Sequence, residues 1–227
     1  MYHNLKEKAI FIADAHYPNH KKKDFLTLLN GIKNKTIECS QLILMGDIFD
    51  LLVGNSSYLK NRFKTEIKLL EDIAKNKEVI YLEGNHDFNL SVIFKKVKII
   101  KINQQPLIAT YDNKKYALSH GDKYNMSLSY QLYTKIVRNP FILQILPDYI
   151  AIKKLQQMSS KDICKDIKNF NKVAQRIAKN YHVDYIVEGH YHQGKIINNY
   201  ISLPSFACNG EVGILNNKKL IFKKLIF

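Results

Sequence analysis

The stretch Val79-Ile80-Tyr81-Leu82-Glu83-Gly84-Asn85-His86-Asp87 decides how the rest of the chain is read. Its apolar residues make a short buried strand, and Gly84 lets the backbone turn without steric cost. Asn85, His86 and Asp87 then supply an oxygen ligand, an acid/base group and its orienter at the strand's end, as one edge of a metal site would require. Four further clusters each follow an apolar run: Asp14-Ala15-His16, Gly46-Asp47, His120-Gly121-Asp122 and Gly189-His190-Tyr191-His192. In an extended segment residues two apart share a face, so Asp14 and His16 can reach one ion. A single Asn or His at a strand end is more often a turn former, and the weight lies in the ordered set.

Outward from these clusters the periodicity changes along the chain. Lys8 to Ala13 and Gln41 to Met45 read as buried strands, with a helix between them carrying Phe25, Leu28, Leu29 and Ile32 at helical spacing. Tyr58 to Asn76 reads as a second amphipathic helix leading into the strand before Asn85. Short strands follow at Val97 to Ile102, Leu107 to Tyr111 and Tyr116 to Ser119, with a hairpin turn at Asp112-Asn113. Residues between Asp122 and Tyr185 read as helical, ending in a long helix from Asp162 to Tyr181 with the stripe Ile163, Ile167, Phe170, Ala174, Ile177 and Tyr181. Beyond His192 come more short strands, the last pair joined at Asn216-Asn217. The pattern predicts an α/β (α+β) protein with two packed mixed sheets flanked by helices, in a single domain over 1–227.

Composition limits the partners. The formal charge of +15 favours anionic surfaces: nucleic acid, lipid headgroups or a polyanionic substrate. It also serves plain solubility, since nearly all of it is lysine. No apolar run approaches the roughly 20 residues of a membrane-spanning helix. Met1 to Lys6 lacks the pattern of a secretory signal, so a cytoplasmic location is expected. Cys39, Cys164 and Cys208 are odd in number and widely spaced, and all three are expected as reduced thiols.

In this order, from Asp14 to His192, the motifs resemble the calcineurin-like metallophosphoesterases, which hydrolyse phosphate esters and anhydrides at a two-metal centre. The resemblance implies a four-layer αββα sandwich of two mixed β-sheets. It also implies that Asp14, His16, Asp47 and His192 hold one ion, and that Asn85, His120 and His190 join Asp47 on the other. Asp47 would bridge ions about 3.5–4 Å apart, which together polarise a phosphoryl oxygen and acidify a shared water. His86 would protonate the leaving oxygen or steady the phosphoryl charge, oriented by Asp87, and Asp122 would support an imidazole from behind. Oxygen and imidazole donors without a thiolate suit two divalent ions, Mn2+ first, with Fe, Zn or Co also compatible. His3, His20 and His182 fall outside every motif and read as ordinary surface or loop histidines.

Substrate preference in such folds lies in loops and insertions. His120-Gly121-Asp122, Tyr130-Gln131-Leu132-Tyr133 and Val137-Arg138-Asn139-Pro140 resemble the UDP-2,3-diacylglucosamine pyrophosphatases of lipid A biosynthesis, which carry a helical lid over the acyl chains. This implies a helical lid insertion at about 123–160 and hydrolysis of a lipid-linked nucleotide to UMP and 2,3-diacylglucosamine 1-phosphate. A peripheral protein on the cytoplasmic face of the inner membrane, touching an anionic membrane surface, follows from the same resemblance. Phe141 to Ile152 either lines an acyl groove, through Ile142 and Ile145, or forms the insert's own core. Arg138, Lys153 and Lys154 can hold the diphosphate or headgroups, with Asn85 and His86 on the substrate side of the metals. The chain departs from the best-known branch, which has Arg at the position of His86 and a Ser-x-x-x-Asn-x-x-Lys motif without a counterpart between Ser159 and Lys172. A divergent branch is therefore expected. A nuclease or cyclic-nucleotide phosphodiesterase would share the metal site and the positive charge. Such a nuclease should interleave aromatic and basic residues along an open groove, so no stable nucleic-acid partner is expected. A non-catalytic basic module that binds acidic lipid or nucleic acid would have no use for a full ligand set.

Overall fold

Period-two alternation along the central strands builds two interiors at once. In the computed structural model, which describes residues 2–123 and 163–225 together with Asn139, Asp148 and Lys153, one sheet runs β14-β13-β2-β3-β5-β7. Its strands are β2 (Ile10–Ile12), β3 (Gln41–Leu44), β5 (Glu78–Leu82), β7 (Lys98–Ile100), β13 (Glu211–Asn216) and β14 (Lys219–Lys224). The other runs β1-β8-β9-β10-β12-β11, from β1 (His3–Asn4), β8 (Leu107–Tyr111), β9 (Lys114–Ser119), β10 (Tyr185–Glu188), β11 (Gln193–Ile197) and β12 (Tyr200–Pro204). Both sheets mix parallel and antiparallel neighbours, and a separate two-stranded ribbon pairs β4 (Leu52–Val53) with β6 (Asp87–Phe88).

Ile10, Ile12, Leu42, Leu44, Val79 and Tyr81 face outward from the first sheet. They pack on α1 (Lys22–Lys33) through Phe25, Leu28, Leu29 and Ile32, and on a helix at Lys64–Ala74 through Leu69, Leu70 and Ile73. The alternate residues Phe11, Ile43, Ile80 and Leu82 face the second sheet and meet Ala109, Tyr116, Leu118, Val187, Ile201 and Leu203. The second sheet's far side is covered by a helix at Phe170–Ala178, whose Phe170, Ala174 and Ile177 touch Ile186, Tyr191 and Tyr200. The layers are therefore helix, sheet, sheet, helix, the αββα sandwich. Burying one such aliphatic or aromatic side chain contributes about 1.5–3 kcal/mol, so the two interiors together outweigh any single polar contact.

Parallel pairing brings the ligand-bearing strand ends to one edge. Ile12 lies opposite Leu44 and Leu44 opposite Tyr81 in the first sheet, while Ser119 lies opposite Glu188 in the second. Each strand is followed directly by one of the motif clusters, so all five emerge where the two sheets' C-terminal edges meet.

Three expectations are corrected. The helix expected from Tyr58 to Asn76 is two, α2 (Ser57–Arg62) and α3 (Lys64–Ala74), broken where Phe63 turns its ring inward against Phe49 at 5.0 Å and Tyr17 at 6.2 Å. Among the described residues the helix expected from Asp162 begins only at Phe170, as α4 (Phe170–Ala178), because residues 163–167 run without helical structure and bond to the side chains of His192 and Gln193. Cys164 and Cys208 are joined in a disulfide 44 residues apart in sequence, leaving Cys39 as a buried free thiol. Only tertiary packing brings that pair together.

Most of the insertion expected at about 123–160 lies outside the described residues, as do Arg138, Ile142, Ile145 and Lys154. Asp148 accepts hydrogen bonds from Ser56 Oγ (2.6 Å), Ser57 Oγ (3.0 Å) and Tyr58 N (3.3 Å) at the start of α2. Lys153 is exposed. No helix among the described residues is long and apolar enough to cross a membrane.

Candidate metal centre

Left-handed backbone carries the side chains inward. Asp14, His16, Asp47, His190 and His192 all have φ between 44 and 60°. Such positions cost about 1–3 kcal/mol each in residues other than glycine and persist where the surroundings hold them, a common feature of active sites. Gly46 (φ +86°) and Gly84 admit close approaches within the site. A Cβ on Gly46 would run into the His120 ring, and one on Gly84 into the Asp47 carboxylate, 2.6 Å from Asp47 N.

Two clusters result. Asp14, His16 and His192 bring their ligand atoms within 4.8 Å of one another, as do Asp47, His120 and His190. His192 Nε2 is 3.2 Å from Asp14 Oδ1, and His120 Nε2 is 3.4 Å from Asp47 Oδ2 and 3.0 Å from Asn85 Oδ1. A backbone carbonyl only accepts, so it fixes the tautomer of the ring that points at it. Met45 O receives His120 Nδ1 (3.0 Å), Ile163 O receives His192 Nδ1 (2.7 Å) and Asp50 O receives His86 Nδ1 (2.8 Å). Each of these rings thereby turns Nε2 toward the centre. A cavity of about 270 Å³ opens onto the clusters, lined by His16, Asp47, Asn85, His86, His190 and His192 together with Ile163, Lys165, Ile167 and Tyr191.

The donor set fits divalent cations. His16 Nε2 is buried without a hydrogen-bond partner, and Asp14 and Asp47 are fully buried with no lysine or arginine pairing either carboxylate among the described residues. Buried charges of that kind are ordinarily paired or bound to metal. The sequence pattern of the calcineurin-like phosphoesterases matches residues 8–194. The chain belongs to that family.

It is accordingly a metal-dependent phosphate hydrolase that uses divalent ions. Relatives named UDP-2,3-diacylglucosamine hydrolase from Vibrio parahaemolyticus, Photorhabdus laumondii and Coxiella burnetii are 27%, 26% and 22% identical to this metallophosphoesterase. The matches cover 81–82% of this chain and 81% of each relative. Among solved structures, a cold-active protein tyrosine phosphatase aligns with a TM-score of 0.46 and 18% identity over 97% of this chain and 77% of its own. Yfce, a phosphoesterase from E. coli, aligns at 0.47 and 14% over 96% of this chain and all of its own.

Within this metallophosphoesterase, charge separates the candidate residues. Burial alone would raise Asp47, but the neighbouring His120 and His86 overcome it and hold the carboxyl well below its ordinary range. Burial pushes His16 down to about 3 and His190 to about 4, so both rings are neutral and free to donate a lone pair. Asp122 is buried and its charge reaches both His120 and His190.

Asp87 is placed differently from expectation. Its carboxylate accepts from Tyr81 OH (2.5 Å), Ile48 N (2.6 Å), Gly84 N (2.9 Å) and Asp47 N (3.0 Å), and the ring of His86 is instead oriented by the Asp50 carbonyl. Asp87 thus holds the Asp47 loop against the Gly84 turn. With Phe49 N a fifth donor at 3.4 Å, this carboxylate has no lone pair to spare for the ring on the next residue. Asp50 itself, buried and pushed up to about 6 by desolvation, lies 3.7 Å from His16 Nδ1 and belongs to no motif read from the sequence. Its only sequence signal is its position three residues after Asp47. His20, read as an ordinary loop residue, has its ring 6.4 Å from that of His16. His3 sits half-buried among Gln41, Glu78 and Lys98, apart from the centre.

Proposed function

We propose that this metallophosphoesterase hydrolyses UDP-2,3-diacylglucosamine to UMP and 2,3-diacylglucosamine 1-phosphate in lipid A biosynthesis. The observation that carries hydrolysis is the pair of carboxylate–imidazole clusters facing one cavity. The relatives named UDP-2,3-diacylglucosamine hydrolase support this choice of substrate. Asp14, His16, Asp47 and His192 would hold one divalent ion and Asp47, Asn85, His120 and His190 a second, Mn2+ being the expected occupant of both. When bound, such ions supply Lewis acidity toward a phosphoryl oxygen and a water.

The remaining steps belong to the chain. Asp47, with Oδ1 held by His86 N at 2.8 Å, keeps Oδ2 directed at the cavity between the clusters. His86 keeps Nδ1–H on the Asp50 carbonyl and presents Nε2, and it is the doubly protonated ring that passes its Nε2 proton to the leaving oxygen and is left neutral. Asn85 shares the substrate side with it. Beyond the cavity the insertion at about 123–160 would cover the substrate, with Ile142 and Ile145 against acyl chains and Arg138, Lys153 and Lys154 toward the diphosphate. Lysines near an anionic leaflet contribute about 1 kcal/mol each and a single acyl chain only marginal binding, giving reversible attachment to the cytoplasmic face of the inner membrane.

Product analysis tests the reading. With Mn2+ present, UDP-2,3-diacylglucosamine, bis-p-nitrophenyl phosphate and single-stranded DNA are incubated in parallel. UMP release from the first, with DNA intact, is the expected result. Cleavage of DNA with the nucleotide lipid untouched would transfer the assignment to a nuclease, the reading that the charge of +15 also favours.

A further inference from the structure

We propose that Cys164 and Cys208 form a thiol–disulfide switch that sets the affinity of the Asp14/His16/His192 position for its cation. The proposal rests on reading that cluster as a metal position.

Residues 163–167 form a strap along the cavity. Ile163 O holds His192 Nδ1 at 2.7 Å, Gln193 Oε1 accepts from Ile167 N at 3.0 Å, and Gln193 Nε2 donates to Lys165 O at 3.2 Å. Cys164 follows Ile163 directly, and its disulfide reaches Cys208 in a short helix, α5 (Phe206–Asn209). That helix is fastened to the exit of β2: Phe206 N donates to Ala13 O (2.9 Å), Ala207 N to Asp14 O (3.1 Å) and Ser205 Oγ to Asp14 O (2.8 Å). A closed ring results, running from Asp14 through α5, Cys208, Cys164 and Ile163 to His192, and back across the 3.2 Å contact of His192 Nε2 with Asp14 Oδ1. The ring includes two of the three donors of one cluster and neither Asp47 nor His120 of the other. Its single covalent cross-link is the disulfide.

Accessibility separates this pair from the third cysteine. Cys164 is exposed and Cys208 half-buried, the condition under which disulfides exchange readily. Cys39 is buried, donates to Gln41 O at 3.3 Å, and has its thiol pushed up to about 11 by burial, so it takes no part. With the cross-link open, the strap depends on hydrogen bonds at a solvent-facing surface, and the carbonyl that orients His192 is released with it. Loss of such an orienting partner costs about 10–100-fold in metal affinity.

The exchange is balanced by a small-molecule disulfide such as glutathione disulfide. One cysteine thiolate displaces a glutathione thiol and forms a mixed disulfide, and the other cysteine displaces the second glutathione. Two electrons pass from the protein sulfurs to the oxidant, which leaves as two thiols with the two protons. Reduction by a dithiol runs the sequence in reverse.

The full chain is equilibrated in glutathione buffers of graded potential, with free thiols counted by alkylation and mass shift. Mn2+ binding is followed by equilibrium dialysis on the oxidised form, the reduced form and a Cys164→Ala/Cys208→Ala variant. Hydrogen exchange at the Ile167 amide is read on metal-free protein. The expected result is two Mn2+ per oxidised chain, one of them weakened about 10-fold or more on reduction, a variant that matches the reduced form in every buffer, and faster Ile167 exchange without the cross-link. Two ions held equally in both states would overturn the switch while leaving the metal centre intact, as would equal weakening of both ions or three free thiols at every potential. No Mn2+ in any form, with Ile167 exchange still redox-dependent, would overturn the metal reading instead.

Discussion

Asp47 and Asp87 are both fully buried carboxylates, yet their surroundings charge them in opposite directions. Imidazoles around Asp47 outweigh its burial and hold it ionised, while burial and the charge of Asp47 push Asp87 up to about 7. One therefore serves cations and the other serves backbone amides. Asp47→Ala is expected to abolish turnover and lower the metal content measured by elemental analysis, since this carboxylate stands with His120 and His190 and is proposed to serve the other cluster as well. His86→Ala should keep both ions and lower kcat about 10²–10⁴-fold, because a proton donor acts in the transition state rather than on the ion. Asp87→Ala should instead strip acceptors from the amides of Asp47, Ile48 and Gly84, each buried group left unpaired costing about 1–3 kcal/mol. Denaturant titration should then show a stability loss of about 3 kcal/mol or more together with metal loss. A stable, fully metallated Asp87→Ala protein with slow turnover would return Asp87 to the role of orienting His86.

At the scale of the element, the turn after β5 shows what a glycine contributes to a ligand site. Gly84 has no side chain where the Asp47 carboxylate and backbone lie, so Gly84→Ala must separate the β5 turn from the Asp47 loop. A displacement of about 1 Å at a reacting centre can cost about 10²-fold, and kcat/KM for Gly84→Ala should fall by that order with secondary structure by circular dichroism unchanged. Near-normal kinetics would mean the two loops can move apart without harm. Elements also mark the limits of periodicity. The apolar spacing of Phe63 fits one continuous helix, but the same residue ends α2 because its ring finds Phe49 and Tyr17. Ile163 and Ile167 fit a helical stripe, but their backbone groups are taken by His192 and Gln193.

For the whole molecule, bound cations are a component of stability, since they bind the folded state and find no such cluster in the unfolded chain. At a free concentration of about 100 times Kd one ion stabilises by about 2.7 kcal/mol, and for a chain of this length 1 kcal/mol moves Tm by about 2–4 °C. Chelation by EDTA should therefore lower Tm by about 5 °C or more, with recovery on addition of Mn2+; an unchanged Tm would count against metal occupancy of the clusters. The two-sheet sandwich and the emergence of ligand-type residues at strand ends were legible in the sequence, because strand alternation and turn chemistry are local and Asp14 to His192 carries them in order. What lay beyond it were relations between distant residues: Asp87 directed at the Asp47 loop rather than at its neighbour, Asp50 behind His86, and Cys164 joined to Cys208. Residue type and spacing determine what a side chain can donate, accept or ligate. Which partner it meets is decided by packing, since every buried donor and acceptor must be satisfied within the space the two sheets leave.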